Sequence, residues 1–309
     1  MTRRRLFGLG ALAAIVATGL VAYLHLDRPT PLPADAAGSL LFVSDREGQD
    51  ALYIRHQPRG EPRRLVVTGE PVRDPALSPD GSRLAFVMGG RIGLVSLPRG
   101  EIHFVTLGVD HQDAQPSWRP DGQALVVSSR IRGKDAADLV LLDFETKDGK
   151  PERKLLTDTR GLDETSPRFS PDGRYVVFLR EDGVFRIALA DGRAHRLTSG
   201  FRKFREPRFL PSGRLLVLWT EGKVYGFDTM DIDGKSRETL SQGTAFYRSI
   251  APSPDGRYLA ATFTFDLAFS PRDAFRKLEE VHLLDARGRF VAVVERSSRY
   301  ASHSPEWGR

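Results

Sequence analysis

The sequence has no cysteine and only three methionines among its 309 residues. The absence of cysteine excludes a disulfide framework, a thiolate zinc site, a cysteine nucleophile and a diacylglyceryl lipid anchor. Clustered charge of one sign is also lacking. The net charge of +6 is spread along the chain, with no basic stripe outside the N-terminus, so nucleic acid is not an expected partner. What the chain has in quantity is turn chemistry: 29 glycines and 20 prolines in a sequence that is 40% hydrophobic and 28% charged. That is the composition of a globular, turn-rich protein, either of two domains or of one large all-β domain.

Residues 1–36 differ from the rest. Arg3, Arg4 and Arg5 precede an uncharged apolar run from Leu6 to Leu24, and Pro29, Pro31 and Pro33 follow it. A cationic start before an apolar core is the grammar of an export signal. A 19-residue helix also just spans a bilayer core. The opening Thr2-Arg3-Arg4-Arg5-Leu6-Phe7 resembles a twin-arginine signal. Ala34-Asp35-Ala36 offers the small residues that signal peptidase requires. Cleavage after Ala36 and retention as an anchor both stay open, as do the general secretory and twin-arginine routes. Either way the arginines remain in the cytoplasm and the rest of the chain lies outside.

Residues 38–309 carry one motif written six times. The copies are Pro75-Ala-Leu-Ser-Pro-Asp-Gly81, Pro116-Ser-Trp-Arg-Pro-Asp-Gly122, Pro167-Arg-Phe-Ser-Pro-Asp-Gly173 and Pro207-Arg-Phe-Leu-Pro-Ser-Gly213, then Ile250-Ala-Pro-Ser-Pro-Asp-Gly256 and the truncated Pro305-Glu-Trp-Gly-Arg309. They start 41, 51, 40, 43 and 55 residues apart, the period of a four-stranded propeller blade. Each Pro-Asp-Gly presets a chain reversal, and an apolar strand such as Tyr175-Val-Val-Phe-Leu179 follows. The aromatic or leucine two residues after the first proline is expected to pack between neighbouring blades. Ser39–Val43, Leu52–Ile54 and Arg64–Val67 read as three strands of a blade that lacks its motif strand, and Pro305-Glu-Trp307 as a motif strand that lacks its blade. Joining them predicts an all-β, six-bladed β-propeller closed by the C-terminal strand and preceded by a signal or membrane-anchor helix. Closure removes an open sheet edge.

The repeated Pro-x-[Trp/Phe]-Ser-Pro-Asp-Gly units resemble the propeller repeats of the TolB family, periplasmic proteins of the Tol system. Related repeats occur in prolyl oligopeptidases. The resemblance spans about residues 38–309 and implies a periplasmic or otherwise extracytoplasmic binding protein, secreted or tethered by its N-terminus. TolB also carries an N-terminal α/β domain, which is not expected between the apolar run and the first strand here. A peptidase would need an α/β-hydrolase domain with a Gly-x-Ser-x-Gly elbow, and no such elbow occurs.

Candidate site residues sit where each motif strand begins: Arg73, Asp74, Asp113, Gln115, Glu164, Arg205, Glu206, Tyr247, Arg248 and His303. In a ring of blades these positions are expected to converge on one rim. Arg73, Asp74, Asp113, Glu164, Arg205, Glu206, Arg248 and His303 would bind a protein or peptide of the cell envelope, with no cofactor, as a monomer touching the membrane only through its N-terminus. The competing reading of the same charges is a set of ion pairs sealing a narrow channel. The alternative function is a metal-assisted hydrolase or lyase acting on glycan or peptide, built from Glu164, Asp113, His111 and His303. Asp231-Ile-Asp233-Gly234 reads as a hairpin turn rather than a calcium loop. Phe201-Arg-Lys-Phe-Arg205 is expected to cover a blade end with Phe201 or Phe204. The insert Phe265–Glu280, including Asp273–Glu280, is expected to form a short amphipathic helix, either as a docking lid or as a plain long connection.

Overall fold

The computed structural model describes residues 32–308, apart from 58, 67, 99, 147–149, 267–276 and 296–301. The apolar N-terminal run lies outside the described residues, and no helix among those described is long and apolar enough to cross a membrane. The described regular structure consists of six four-stranded antiparallel sheets. Blade 1 begins with Gly38–Ser44, and the inner strands of blades 2 to 6 are Val72–Leu77, His111–Trp118, Glu164–Phe169, Lys203–Phe209 and Tyr247–Pro252. The inner strand of blade 1 is Ser302–Gly308, from the other end of the chain. Each inner strand touches the inner strands on either side, closing a ring around a central channel.

The turns explain why the motif recurs. In blade 4 the Gly173 N–H donates to the Ser170 carbonyl at 2.8 Å, and Gly173 takes φ +69°, which glycine adopts without strain. Ser170 Oγ donates to Asp172 at 2.6 Å and accepts the Tyr175 N–H at 3.0 Å. Blades 2 and 6 repeat this wiring through Ser78–Asp80 and Ser253–Asp255. Hydrogen bonds from the motif serine, then from backbone N–H groups and a neighbouring arginine, hold the Asp172 and Asp255 carboxyls down to about 2.

Packing between blades supplies the core. Six apolar clusters fill the six interfaces between neighbouring blades. As the repeat predicts, Trp118 packs on Ala85, Val87 and Ile92 of the preceding blade, and Phe169 on Val126 and Leu139. The Trp118 indole N–H also donates to the Ala76 carbonyl at 2.9 Å.

Ring closure follows the expected pairing. Leu40 sits opposite Trp307, and Leu41 opposite Glu306. Trp307 is buried and donates to the Ala37 carbonyl at 3.1 Å. Gly38 has φ +109°, and a Cβ there would lie 2.7 Å from the Gly308 carbonyl oxygen, so only glycine fits the seam. Glu295 of blade 6 binds Arg46 and Arg55 of blade 1 at 2.9 and 3.1 Å across the same junction.

Residues ahead of the first strand are also fixed to the ring. Ala36 is buried in the cluster between blades 6 and 1. Asp35 accepts hydrogen bonds from Arg257 at 2.7 Å and from the Tyr258 hydroxyl at 2.8 Å.

The helix expected over Asp273–Glu280 is corrected in part. Lys277 to Glu280 belong to the strand Lys277–Asp285, paired with Tyr258–Asp266 through Phe263↔Glu280 and Asp266↔Lys277, so the hairpin extends instead of coiling. Residues 273–276 lie outside the described residues. Asp231–Gly234 is the expected turn, with the Gly234 N–H donating to the Asp231 carbonyl at 2.9 Å.

Two predictions follow from the turn and the seam. Trp307→Ala removes a buried aromatic and should cost about 3–5 kcal/mol in denaturant unfolding, and deletion of residues 301–309 should abolish a single cooperative transition. Because Asp172 and Asp255 are depressed in the folded state, their stabilisation is present above the ordinary aspartate pKa and lost as pH falls through about 2. Ser170→Ala, measured by acid titration of the circular dichroism, should move the onset of acid unfolding to higher pH.

Candidate functional site

The inner strands do not run straight past the channel. Register against the second strand shifts between Arg73 and Ala76, Ala114 and Ser117, Thr165 and Arg168, Arg205 and Arg208, and Tyr247 and Ser249. Each shift is a β-bulge at the motif. Where a proline follows, the residue before it is left-handed: Asp74 (φ 50°), Gln115 (53°), Ser166 (53°), Glu206 (47°) and Ser304 (52°). Such a backbone costs about 1 kcal/mol per non-glycine residue and persists only when its surroundings fix it. Here neighbouring blades fix it. The Gln115 N–H donates to Asp74 Oδ2 at 3.2 Å, and the Ser166 N–H donates to Gln115 Oε1 at 2.7 Å. The side chain of one blade thus satisfies the bulged backbone of the next.

These residues form a waist in the channel. A cavity of about 40 Å³ is lined by Asp74, Gln115, Glu206, Ser249 and Ser304, with Arg168 and Arg208 beside them. Burial pushes the Asp74 carboxyl up against the opposing pull of Arg73 and the Gln115 N–H. Beyond the waist, on the side of the Pro-Asp-Gly turns, the channel widens into a cavity of about 370 Å³.

The expected rim residues separate into three groups because side chains alternate along a strand. Asp113 and Glu164 lie three residues before the motif proline and are fully buried, Asp113 within its own blade and Glu164 against the end of the blade before it, which corrects their placement on the rim. Asp113 receives a bidentate pair from Arg153, with both contacts at 3.0 Å. Glu164 is held by Arg180 Nε at 2.9 Å, Thr159 Oγ1 at 2.9 Å and Thr157. Neither carboxylate has a face to offer a ligand. Asp74 and Glu206, directly before the proline, line the waist.

Arg73, Arg205 and Arg248, two residues before the position of the motif proline, stand at the mouth where the inner strands start. Arg73 is exposed, with no ion pair among the described residues. Arg205 donates to Thr220 at 2.6 Å and lies 4.6 Å over the Phe246 ring, and burial lowers its pKa. Arg248 pairs with Glu279. His303 occupies the same position in blade 1, opposite Val43, and its side chain is not among those described.

The four residues of the metal reading do not come together as a donor set, since Asp113 and Glu164 are each clasped by an arginine. No group of three potential ligands occurs among the described residues. Of the basic segment, Phe204 is buried and Phe201 is 96% exposed.

Arg168, Arg208 and Glu306 escaped the reading of the motif. All three fill the x of Pro-x-aromatic. Strict alternation from the buried aromatic would have aimed them at the channel.

The family model described as the TolB beta propeller domain matches residues 91–308. The chain belongs to this family. A protein TolB homolog from Chlorobium luteolum is 32% identical over 46% of this chain and 31% of its own length. An uncharacterized peptidase from Bacillus subtilis, YuxL, is 34% identical over 45% of this chain and 20% of its own. The chain thus spans less than a third of either curated relative. Among solved structures, TolB from Acinetobacter baumannii superposes with a TM-score of 0.70 at 21% identity, over 90% of this chain and 68% of that one. That likeness establishes the fold.

The buried carboxylates are expected to be structural. Glu164→Ala strands the Arg180 guanidinium and should cost about 3 kcal/mol of stability, whereas Arg73→Ala should leave the melting curve unchanged; thermal unfolding of the two variants checks both.

Proposed function

We propose that this TolB-like propeller is an extracytoplasmic binding protein that captures an acidic segment of a cell-envelope protein or peptide at the mouth where its inner strands begin. The observation that carries this reading is a set of arginines at that mouth, two of them without an ion-pair partner among the described residues. Arg73 and Arg205 face it with no carboxylate in ion-pair contact among the described residues, and Arg248 is 59% exposed even while paired with Glu279. Exposed apolar side chains stand on the same face. Leu107, Val109 and Phe201 lie on connections that lead into inner strands, and Val224 follows a hairpin at that end. Arginines beside exposed apolar groups supply both the steering charge and the buried anchors of a recognition surface. A rigid ring with loops around a funnel suits display of such a surface.

The resemblance of the N-terminal sequence to an export signal, and the names of the curated relatives, support a location outside the cytoplasm. The path of the chain into the ring is consistent with tethering. Asp35 docks on Arg257 and Tyr258, next to the Pro-Asp-Gly turn of blade 6, on the face opposite the arginine mouth. A tether entering there leaves the mouth directed away from the membrane. His303, Asp74 and Glu206 complete the proposed lining. Asp113 and Glu164 act through the blades they stabilise.

Replacing Arg73, Arg205 and Arg248 together by alanine should weaken capture of envelope proteins in a mild-crosslinking pull-down by at least about tenfold and reduce its salt dependence. An unchanged capture profile from the folded triple variant overturns the reading.

A further inference from the structure

The turn-side cavity lies on the far side of the waist from the arginine mouth, and its chemistry is different. Phe169, Phe209, Leu210 and Trp307 contribute to its apolar wall, and Arg168 and Arg208 stand at its inner end. Both guanidinium groups are poorly satisfied. Arg168 donates one hydrogen bond, from Nη1 to the Pro167 carbonyl at 2.8 Å, and its nearest carboxylate is Glu206 at 3.9 Å. Arg208 donates to Glu306 at 3.0 Å and lies 3.4 Å from Glu206. The Nε atoms of both arginines, and Glu206 Oε2, are buried with no hydrogen-bond partner among the described residues. A guanidinium has five N–H donors in a fixed fork, and burying those donors without acceptors is costly.

The pair is under electrostatic load as well. Burial first, and then the neighbouring Arg208 charge, push the Arg168 guanidinium down to about 10. Glu206 sits close to both arginines without hydrogen-bonding either, so it relieves their repulsion only in part. The group that would resolve this arrangement is a planar oxyanion able to accept from both forks. The cavity size, about 370 Å³, falls at the lower end of small-ligand pockets. It admits one or two residues of a peptide and excludes a folded domain.

We propose that Arg168 and Arg208 form a second binding site at the turn-side mouth for a carboxylate carried on an apolar body, with the terminal carboxylate of a peptide ending in a bulky apolar residue as its ligand. Glu306 is the internal competitor for Arg208. The site opens on the other side of the waist from the partner-binding mouth, with Glu206 at the boundary between the two.

Calorimetric titration of the full chain tests this with three probes: N-acetyl-Leu-Phe as the free acid, the same dipeptide as its C-terminal amide, and hexanoate. The free acid should bind, and the amide should bind at least about tenfold more weakly. Arg168→Gln should lose binding by a similar factor. Glu306→Gln, which frees Arg208, should bind the acid more tightly than the parent, a gain that misfolding cannot produce. Hexanoate binding to the same residues supports the site and widens its ligand to free carboxylic acids. Equal affinity for acid and amide, no binding at millimolar concentration, or an Arg168→Gln protein that is folded and binds like the parent overturns the proposal.

Discussion

A β-sheet of four strands cannot stand alone in water when both of its faces are apolar. Each blade buries one face against the blade before it and one against the blade after it. A line of such blades would always leave two bare faces and an unpaired strand, and only a ring does not. The antiparallel pairing of Ser302–Gly308 with Gly38–Ser44 turns the line into a ring, and Trp307, Gly38 and Glu295 cluster where the two ends meet. The channel, its waist and both mouths exist because that pairing holds the inner strands in a circle.

Within the circle, a single step along a strand decides whether a charge is structural or available. Three residues before the motif proline, Asp113 and Glu164 turn into the blade, where bidentate or multiple hydrogen bonds from arginine and threonine offset their desolvation. One residue nearer to the proline, where the side chain points to the other face, Arg73 and Arg248 reach the mouth. The bulge then rotates the residue before the proline towards the axis. Asp113 and Glu164 are thus closed off in buried ion pairs, away from the channel, and the binding proposed above falls to the arginines at the mouth.

The sequence showed most of the architecture because turn chemistry is local. Proline, aspartate and glycine dictate the reversal wherever they stand together, and six copies in phase set the blade count and the closure. The bulge was not legible. A left-handed residue before proline runs against the usual preference of that position for extended backbone, and it is held by side chains from the next blade, such as Asp74 acting on Gln115. Without the bulge the phase of the inner strand slips by one, and strict alternation then puts Asp113 and Glu164 on the same face as Asp74 and Glu206. Arg168 and Arg208 went unread for a related reason. Their position in the motif carries arginine in two blades and alanine, serine or glutamate in the others, so the repeat gives no signal for a pair that only the circle brings together.

The seam has a temporal side. Its two halves lie far apart along the chain, so Gly38–Ser44 is synthesised well before Ser302–Gly308 and must wait for it to gain a second neighbour. Until then its Leu-Leu-Phe-Val run presents an apolar, hydrogen-bonding edge of the kind that recruits other chains. A ring fastened by Ser302–Gly308 therefore closes only once that strand has left the ribosome, and the quality of the closed seam decides how long the sticky edge is on offer.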